Sequence, residues 1–449
     1  MSVEYDLVII GNTPEALFAA SEATKLTGRI ALVLYNNLDD LWLNRHLYQL
    51  SDSFNPDLGK ELRLQGENTL SILAAQGVDI VTGQAEFVRL PSLAVVVEER
   101  KLRSHTYLLA TGSQPCLPSL DGLENTKYLT SLSLWQQQNW SQLPEQLTII
   151  GDSINTIELA QLLHQQGKQV NLITKSAQII PQADSEASRI LQAILESQGI
   201  KIYNASPPSQ IREIEGKPWL QAGNQAIETE QVLVTPMGNP NINGLNLTSV
   251  GVNFSQDKIK VNPYLQTDNP RIYACGELIT TEPSVQLAQY QAKIAVSNAL
   301  GWWKSPCQTE TIPSVVFTQP PLARVGLTET AARETYGKKI DILHNYYHNI
   351  DLAQIQDKTS GLVKLVVTTN GQILGADLVG FAAGEMIGAI ATAMAAKISI
   401  SQFAFKFPYL TLGEILHKTA LDWSTKKDQK INKSPLLTTL LTWRRSWFS

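Results

Sequence analysis

Passing electrons to sulfur requires a thiolate, and disulfide exchange requires a second sulfur within reach. This sequence contains three cysteines, Cys116, Cys275 and Cys307, far apart and in no C-x-x-C or C-x-x-x-x-C pattern. Each is expected to act as a small buried hydrophobe. Binding a dinucleotide requires a strand, a glycine turn and a helix N-terminus, so that backbone N–H groups can approach a pyrophosphate. That arrangement occurs twice. Gly11-Asn12-Thr13-Pro14 follows a β-rich run at 5–10 and precedes a helical stretch at 16–25. Gly151-Asp152-Ser153 follows 146–150 and precedes 157–165, whose apolar residues recur at i, i+3 and i+4. No metal site is expected.

These turns need sheets behind them. Residues 30–35 and 170–174 read as the strands that complete two βαβ openings. Two such openings suggest two nucleotide-binding units, not one enlarged sheet. A further helix at 184–198 is stopped by Gly199. From Ile312 the texture changes. Strands at 361–367 and 372–379 flank Asn370-Gly371, a strong hairpin signal. Residues 384–397 form a helix apolar on nearly all sides, to be buried in a domain or at a subunit interface. A polar, lysine-rich linker is expected at 424–434, then a short helix at 436–448. On that helix Leu436, Leu437, Leu440, Leu441, Trp447 and Phe448 share one face, with Arg444 and Arg445 beside Trp443. It would dock on its own protein or a partner, or touch a membrane surface.

The 449 residues suggest about three domains. With 43% apolar and 17% charged residues the chain can fill a core. A net charge of −5, with basic residues massed only near the C-terminus, does not call for nucleic acid. The N-terminus lacks a basic, signal-like opening, and no run approaches the roughly 18 apolar residues of a membrane span. A cytoplasmic protein is expected, peripheral to a membrane at most through its last helix.

Several segments resemble the pyridine nucleotide–disulfide oxidoreductases. Tyr107-Leu108-Leu109-Ala110-Thr111-Gly112 is similar to the family's "ATG" motif. Gly238-Asn239-Pro240-Asn241 resembles "GRxPN", and Ile272-Tyr273-Ala274-Cys275-Gly276-Glu277 resembles the late flavin motif. Val316-Phe317-Thr318-Gln319-Pro320 with Val325-Gly326-Leu327-Thr328-Glu329 resembles the start of the interface domain. The motifs run in family order over residues 6–423, most like mercuric reductase and dihydrolipoyl dehydrogenase. The resemblance implies an α/β fold with two Rossmann-like FAD/NAD(P)-binding domains, one inserted in the other, plus a C-terminal α+β dimerisation domain. The flavin-type domain would comprise 1–125 and 239–305, the nicotinamide-type domain 126–238, and the interface domain 306–423, with linker and helix at 424–449. A homodimer through the C-terminal domain is implied, with the helix at 384–397 as its dimer helix. The resemblance assigns flavin contacts to Gly11, Thr13, Pro14, Ala16, Ala85, Thr111, Gly112, Gly276 and Glu277. It assigns NAD(P) contacts to Gly151, Ser153, Thr156, Glu158, Thr174 and Lys175.

The departures from that pattern bear on function. No cysteine occurs before Cys116, and the segment at 36–45, where the paired cysteines belong, holds none; Trp42 and Arg45 are candidates to fill their space. Disulfide chemistry is therefore expected to be absent. Thr13 replaces the middle glycine of the first turn. Glu15 adds a charge that suits the helix dipole but repels phosphate. Leu34 stands where a ribose-binding acid is expected, and Glu277 replaces an Asp. In the second turn Ser153 and Thr156 replace glycines, and Thr174-Lys175 replaces the acid, a pair compatible with a 2′-phosphate. Asn239 replaces an Arg. In the C-terminal "HPTxxE" segment Thr411 and Glu414 remain, but Tyr409 replaces the histidine and is a poor base at neutral pH. His417, nearby, is expected to be an exposed helix residue. Two readings follow. One is a flavoprotein that oxidises NAD(P)H and passes electrons to a non-disulfide acceptor. The other is a non-catalytic dimeric scaffold that has lost one or both cofactors.

Overall fold

The structure is a computed structural model, which describes residues 3–26, 28–34, 68–135, 140–235, 237–256, 258–280, 284–404, 406–432 and 442–445. The segment at 36–45, with Trp42 and Arg45, lies outside the described residues, as do Leu436, Leu437, Leu440, Leu441, Trp447 and Phe448. The chain divides into two compact units. One comprises Met1–Lys175 with Lys201–Thr309, the other Ser176–Ile200 with Glu310–Ser449.

The first unit holds two parallel five-stranded sheets. One has the order Ile272–Ala274, Ser104–Leu109, Tyr5–Ile10, Ile30–Leu34, Asp79–Thr82. Its strands Tyr5–Ile10 and Ile30–Leu34 are apolar at every position but Asp6, as a sheet covered on both faces requires. The helix Pro14–Thr24 follows the first strand, with Pro14 in its first turn and Thr13 as N-cap. Its Ala19, Ala20 and Ala23 share a core with Ala292, Ala295 and Val296 of the helix Val285–Leu300. The second sheet runs Lys201–Tyr203, Gln169–Ile173, Gln146–Ile150, Gln231–Val234, Tyr128–Thr130. Its helix, Ile154–Gln165, begins three residues before the expected 157, because Ser153 and Thr156 form a capping box. Both βαβ openings are thus present, with strands at the expected places.

The second unit is built on an antiparallel sheet, Ser314–Val316, Leu322–Gly326, Ile373–Val379, Leu362–Thr368, Ile340–Tyr346. The expected hairpin turns at Gly371, with φ of 94°. The helix Ser185–Gln198, capped by Asp184 and ended by Gly199 at φ of 112°, belongs to this unit. A buried lysine holds it there. Lys364, 4% exposed, reaches Asp184 Oδ1 at 2.8 Å and Glu329 Oε2 at 2.8 Å, while the Asp184 N–H donates to Asp377 Oδ1 at 3.0 Å. Such a charge is tolerated inside only because it is paired and hydrogen-bonded.

The helix Ala383–Ala395 is apolar except at Glu385 and Thr392, and in the single chain one face of it is open. Met386, Ile387 and Ile390 enter the core, whereas Glu385, Gly388, Thr392 and Ala395 form an exposed face in the single chain. The expected linker is corrected. The helix Glu414–Asn432 continues through 424–432, since lysines are good helix formers and no Gly or Pro interrupts them. Trp423 ties its middle down, donating to Asp341 Oδ2 at 3.2 Å with Lys427 over its ring. Among the described residues, no helix is long and apolar enough to cross a membrane.

Candidate functional site

The first glycine turn is built tightly. Gly11 has φ of 144°, and a Cβ there would overlap the Ala110 carbonyl. Thr13 Oγ1 accepts from Ala16 N at 3.3 Å and donates to Ala110 O at 2.9 Å. Asn12, Thr13 and Glu15 are all 0% exposed. Glu15 lies in the first turn of the helix Pro14–Thr24, its carboxylate against Gly276. A Cβ on Gly276 would overlap Glu15 Oε1 and stand 3.1 Å from Glu15 Cδ. The Gly276 N–H donates to Gln291 Oε1 at 2.9 Å. Cys275 beside it is fully buried. Burial, then the Glu15 charge, pushes its thiol well above the ordinary range, so it is no nucleophile.

The other flavin-motif residues make contacts within the unit. Thr111 Oγ1 donates to Asn241 O at 2.6 Å, and Asn241 N donates to Gly112 O at 2.9 Å. Ser113 Oγ donates to Glu277. These bonds hold the antiparallel pair Ser113–Cys116 and Met237–Pro240, in which Asn239 faces Gln114. Ala85 opens the strand Ala85–Val88 and is buried in a core with Phe87 and Tyr107.

The second turn is closed by hydroxyls. Ser153 Oγ and Thr156 Oγ1 lie 2.9 Å apart, and Thr156 Oγ1 and Thr235 Oγ1 2.7 Å apart; Thr235 Oγ1 donates to Ile150 O at 3.0 Å. A Cβ on Gly151 would meet Thr235 and Thr156. Thr174, 1% exposed, donates its hydroxyl to Asn204 Oδ1 at 3.2 Å. Lys175 is exposed, and its N–H donates to Asp152 Oδ1 at 2.7 Å. Glu158 is 5% exposed within the helix. The signal for this closure, Thr235, sits 79 residues beyond Thr156 at the end of a neighbouring strand, and only sheet order reveals it. Gln291 was missed for the same reason.

In the C-terminal unit Tyr409 is exposed. Its hydroxyl donates to Asp351 Oδ2 at 3.0 Å, and that carboxylate raises its pKa further above the usual phenol value. A base at neutral pH it is not. Glu414, 5% exposed, accepts from Leu410 N at 3.3 Å and pairs with Lys418 at 3.1 Å. It holds the start of a helix. His417 is half-buried, not exposed, because its helix lies on the sheet. Of the three cysteines, only Cys275 is the expected buried hydrophobe. Cys116, at the end of a strand, is exposed, and Cys307 is half-buried.

The family model for "Pyridine nucleotide-disulphide oxidoreductase" matches residues 5–292, and that for the family's dimerisation domain matches 312–420. The chain belongs to the pyridine nucleotide-disulphide oxidoreductase family. It is 29% identical to a mercuric reductase of Staphylococcus aureus, over 93% of this chain and 82% of the relative. A mercuric reductase of Streptomyces lividans is 30% identical over 93% and 95%. A dihydrolipoyl dehydrogenase of Bacillus subtilis is 30% identical over 77% and 75%. The fold matches the HOCl-induced flavoprotein disulfide reductase RclA of Escherichia coli, with TM-score 0.81 at 23% identity over 94% of this chain and 99% of that one.

Pyridine nucleotide-disulphide oxidoreductases use FAD and a pyridine nucleotide, so the two turns can be tested for fit. In the first, the Thr13 side chain fills the approach to the backbone, Glu15 places a carboxylate at the helix N-terminus, and the Gly276 N–H is engaged by Gln291. In the second, the hydroxyl chain takes the same place. Neither set of residues fits a dinucleotide pyrophosphate, which needs bare backbone at these positions.

Proposed function

We propose that this member of the family carries out no disulfide chemistry and serves as a non-catalytic dimeric scaffold. The observation behind this reading is that side chains bonded within the fold stand in both dinucleotide turns, at Thr13 and Glu15 and at Ser153 and Thr156. The absence of any cysteine before Cys116 agrees with it, as do the structural roles of Tyr409 and Glu414. The domain assignment of the sequence reading, with a flavin-type domain of 1–125 and 239–305, a nicotinamide-type domain of 126–238 and an interface domain of 306–423, is part of this proposal. So is a homodimer through the open face of the helix Ala383–Ala395. Both turns act as helix caps and strand clamps, so the nucleotide domains persist as packing units.

One observation favours the flavoprotein alternative. Gly112 and Gly276 keep left-handed backbone, with φ of 68° and 72°, as close approach to a ligand would require. The absorbance spectrum of the purified protein decides between them. The scaffold is expected to be colourless, and to stay so after incubation with excess FAD and removal of the unbound flavin. About one flavin per chain, bleached by NADPH without air, overturns the scaffold reading.

A further inference from the structure

A row of titratable side chains crosses the sheet of the second unit. Arg324 stands opposite Asp377, Asp377 opposite Lys364 and Lys364 opposite His344, on four successive strands. Residues opposite one another in a sheet project on the same face. The start of the helix Ser185–Gln198 meets that face and brings acids to it. Asp184 Oδ1 lies 2.8 Å from the Lys364 ammonium, and the Asp184 N–H donates to Asp377 Oδ1 at 3.0 Å. Glu186 lies 3.2 Å from His344 Nδ1 and 3.4 Å from Lys364, and accepts from the Tyr346 hydroxyl at 3.2 Å. Asp377 is thus faced by Asp184 from the helix and by Arg324 and Lys364 from its two neighbouring strands. His344 is faced by Glu186 from the helix and by Lys364 from the neighbouring strand. The helix Glu329–Tyr336 adds Glu329, which pairs with Lys364 and Arg333. At the far end of the helix Ser185–Gln198 the contact is neutral, from Gln198 Nε2 to Gln319 O at 2.9 Å. This helix is an excursion of the chain, since residues up to Lys175 and from Lys201 belong to the first unit.

We propose that this row is a pH-sensitive latch, which clamps the start of the helix Ser185–Gln198 to the sheet in acid and loosens it as pH rises towards neutrality. Two changes act in the same direction. Burial raises the Asp377 carboxyl from 3.8 to about 6. The closed form therefore has the higher pKa, so the contribution of Asp377 to the clamp is full below pH 3.8 and is lost as pH rises through about 6. Once ionised, it is a buried anion beside the Asp184 carboxylate. His344 forms an ion pair with Glu186 only when protonated, which acid favours. The other members of the cluster keep their charge through this range. Burial works against the Glu329 carboxylate, but Lys364 and Arg333 outweigh it and hold its pKa below the usual value. Burial likewise works against the Lys364 ammonium, and Asp184 and Glu329 outweigh it. The latch goes beyond the scaffold reading and is independent of whether the dinucleotide turns hold a ligand.

The test is hydrogen exchange on the full-length chain at pH 5 and pH 7, read by peptide and corrected for the intrinsic pH dependence of amide exchange. In the wild type, opening of the helix start at 185–191 is expected to be about tenfold more frequent at pH 7 than at pH 5, as the Asp377 shift requires. At pH 7 that segment is also expected to be at least about tenfold less protected than the strand Leu362–Thr368, whose amides open with the whole unit. Asp377→Asn keeps an acceptor for the Asp184 N–H and should cut the pH effect to about threefold or less. Adding His344→Gln should remove the remainder, since a partly exposed ion pair contributes little. A helix start whose corrected protection is the same at both pH values overturns the proposal. Equal protection of helix and strand at pH 7 overturns it as well, because the helix would then open only with the unit. So does an Asp377→Asn chain that keeps the full tenfold change. If that variant does not fold, His344→Gln alone and the wild-type comparison of helix with strand decide: about a twofold smaller pH effect with a less protected helix supports the latch, and an unchanged effect overturns it.

Discussion

The two dinucleotide turns start from the same topology and close in different ways. In the first, every residue from Gly11 to Ala16 is buried, and the closing contacts run to backbone: Thr13 to the Ala110 carbonyl and Glu15 to the Gly276 turn. In the second, Ser153 stays half-exposed and the closing contacts run through side chains, from Ser153 to Thr156 to Thr235. The same substitution starts both. The position where glycine lets a pyrophosphate approach is also the helix N-cap, and Thr13 and Ser153 are both good caps. A hydroxyl there turns the helix's donors inward. What differs is the second step, a buried carboxyl group in one turn and a hydroxyl chain in the other.

The largest expected effect comes from the glycine that begins each turn. Gly11→Ala should cost about 4 kcal/mol or more, since φ of 144° is strained for any side chain and the new methyl meets a backbone carbonyl. Gly151→Ala should cost about 2 kcal/mol, because it meets mainly threonine hydroxyls, and Thr235→Ala in the same chain should recover part of that loss. Equal costs from denaturant unfolding would break the contrast between backbone and side-chain closure.

A buried carboxylate outside the turns shows what such a group does to pH dependence. Burial pushes the Asp377 carboxyl from 3.8 up to about 6, although the Asp184 N–H donates to it. Its folded pKa exceeds the unfolded one. Stability is therefore full below pH 3.8 and is lost as pH rises through about 6, by on the order of 3 kcal/mol. Asp377→Asn should flatten that decline in melts of the C-terminal unit between pH 4 and 7. An unchanged slope in the variant would remove Asp377 as its cause.

The smallest effect separates the two hydroxyl networks. Thr156→Val should cost about 1 kcal/mol, because water can reach half-exposed Ser153. Thr13→Val should cost about 2 kcal/mol, since it removes a cap and leaves the buried Ala110 carbonyl without its Thr13 partner. The reverse order would mean that the second turn is the more tightly closed.

Much of the architecture was legible before any coordinates. The strands Tyr5–Ile10 and Gln146–Ile150, the helix stop at Gly199 and the hairpin at Gly371 are written in local patterns of apolar residues, caps and turn residues. The missing early thiols and the substitutions at Thr13, Glu15, Ser153 and Tyr409 could be read just as directly, because chemistry that needs a group fails without it. The helix through 424–432 was misread because polarity resembles a linker, while its stability comes from Trp423 packed on a distant strand. Three things only the tertiary structure decided: that Glu15 meets Gly276, that Thr156 meets Thr235, and that Lys364 meets Asp184. Each pair is separated by at least 79 residues, and a parallel sheet or a long-range ion pair brings together groups whose spacing along the chain carries no signal of contact.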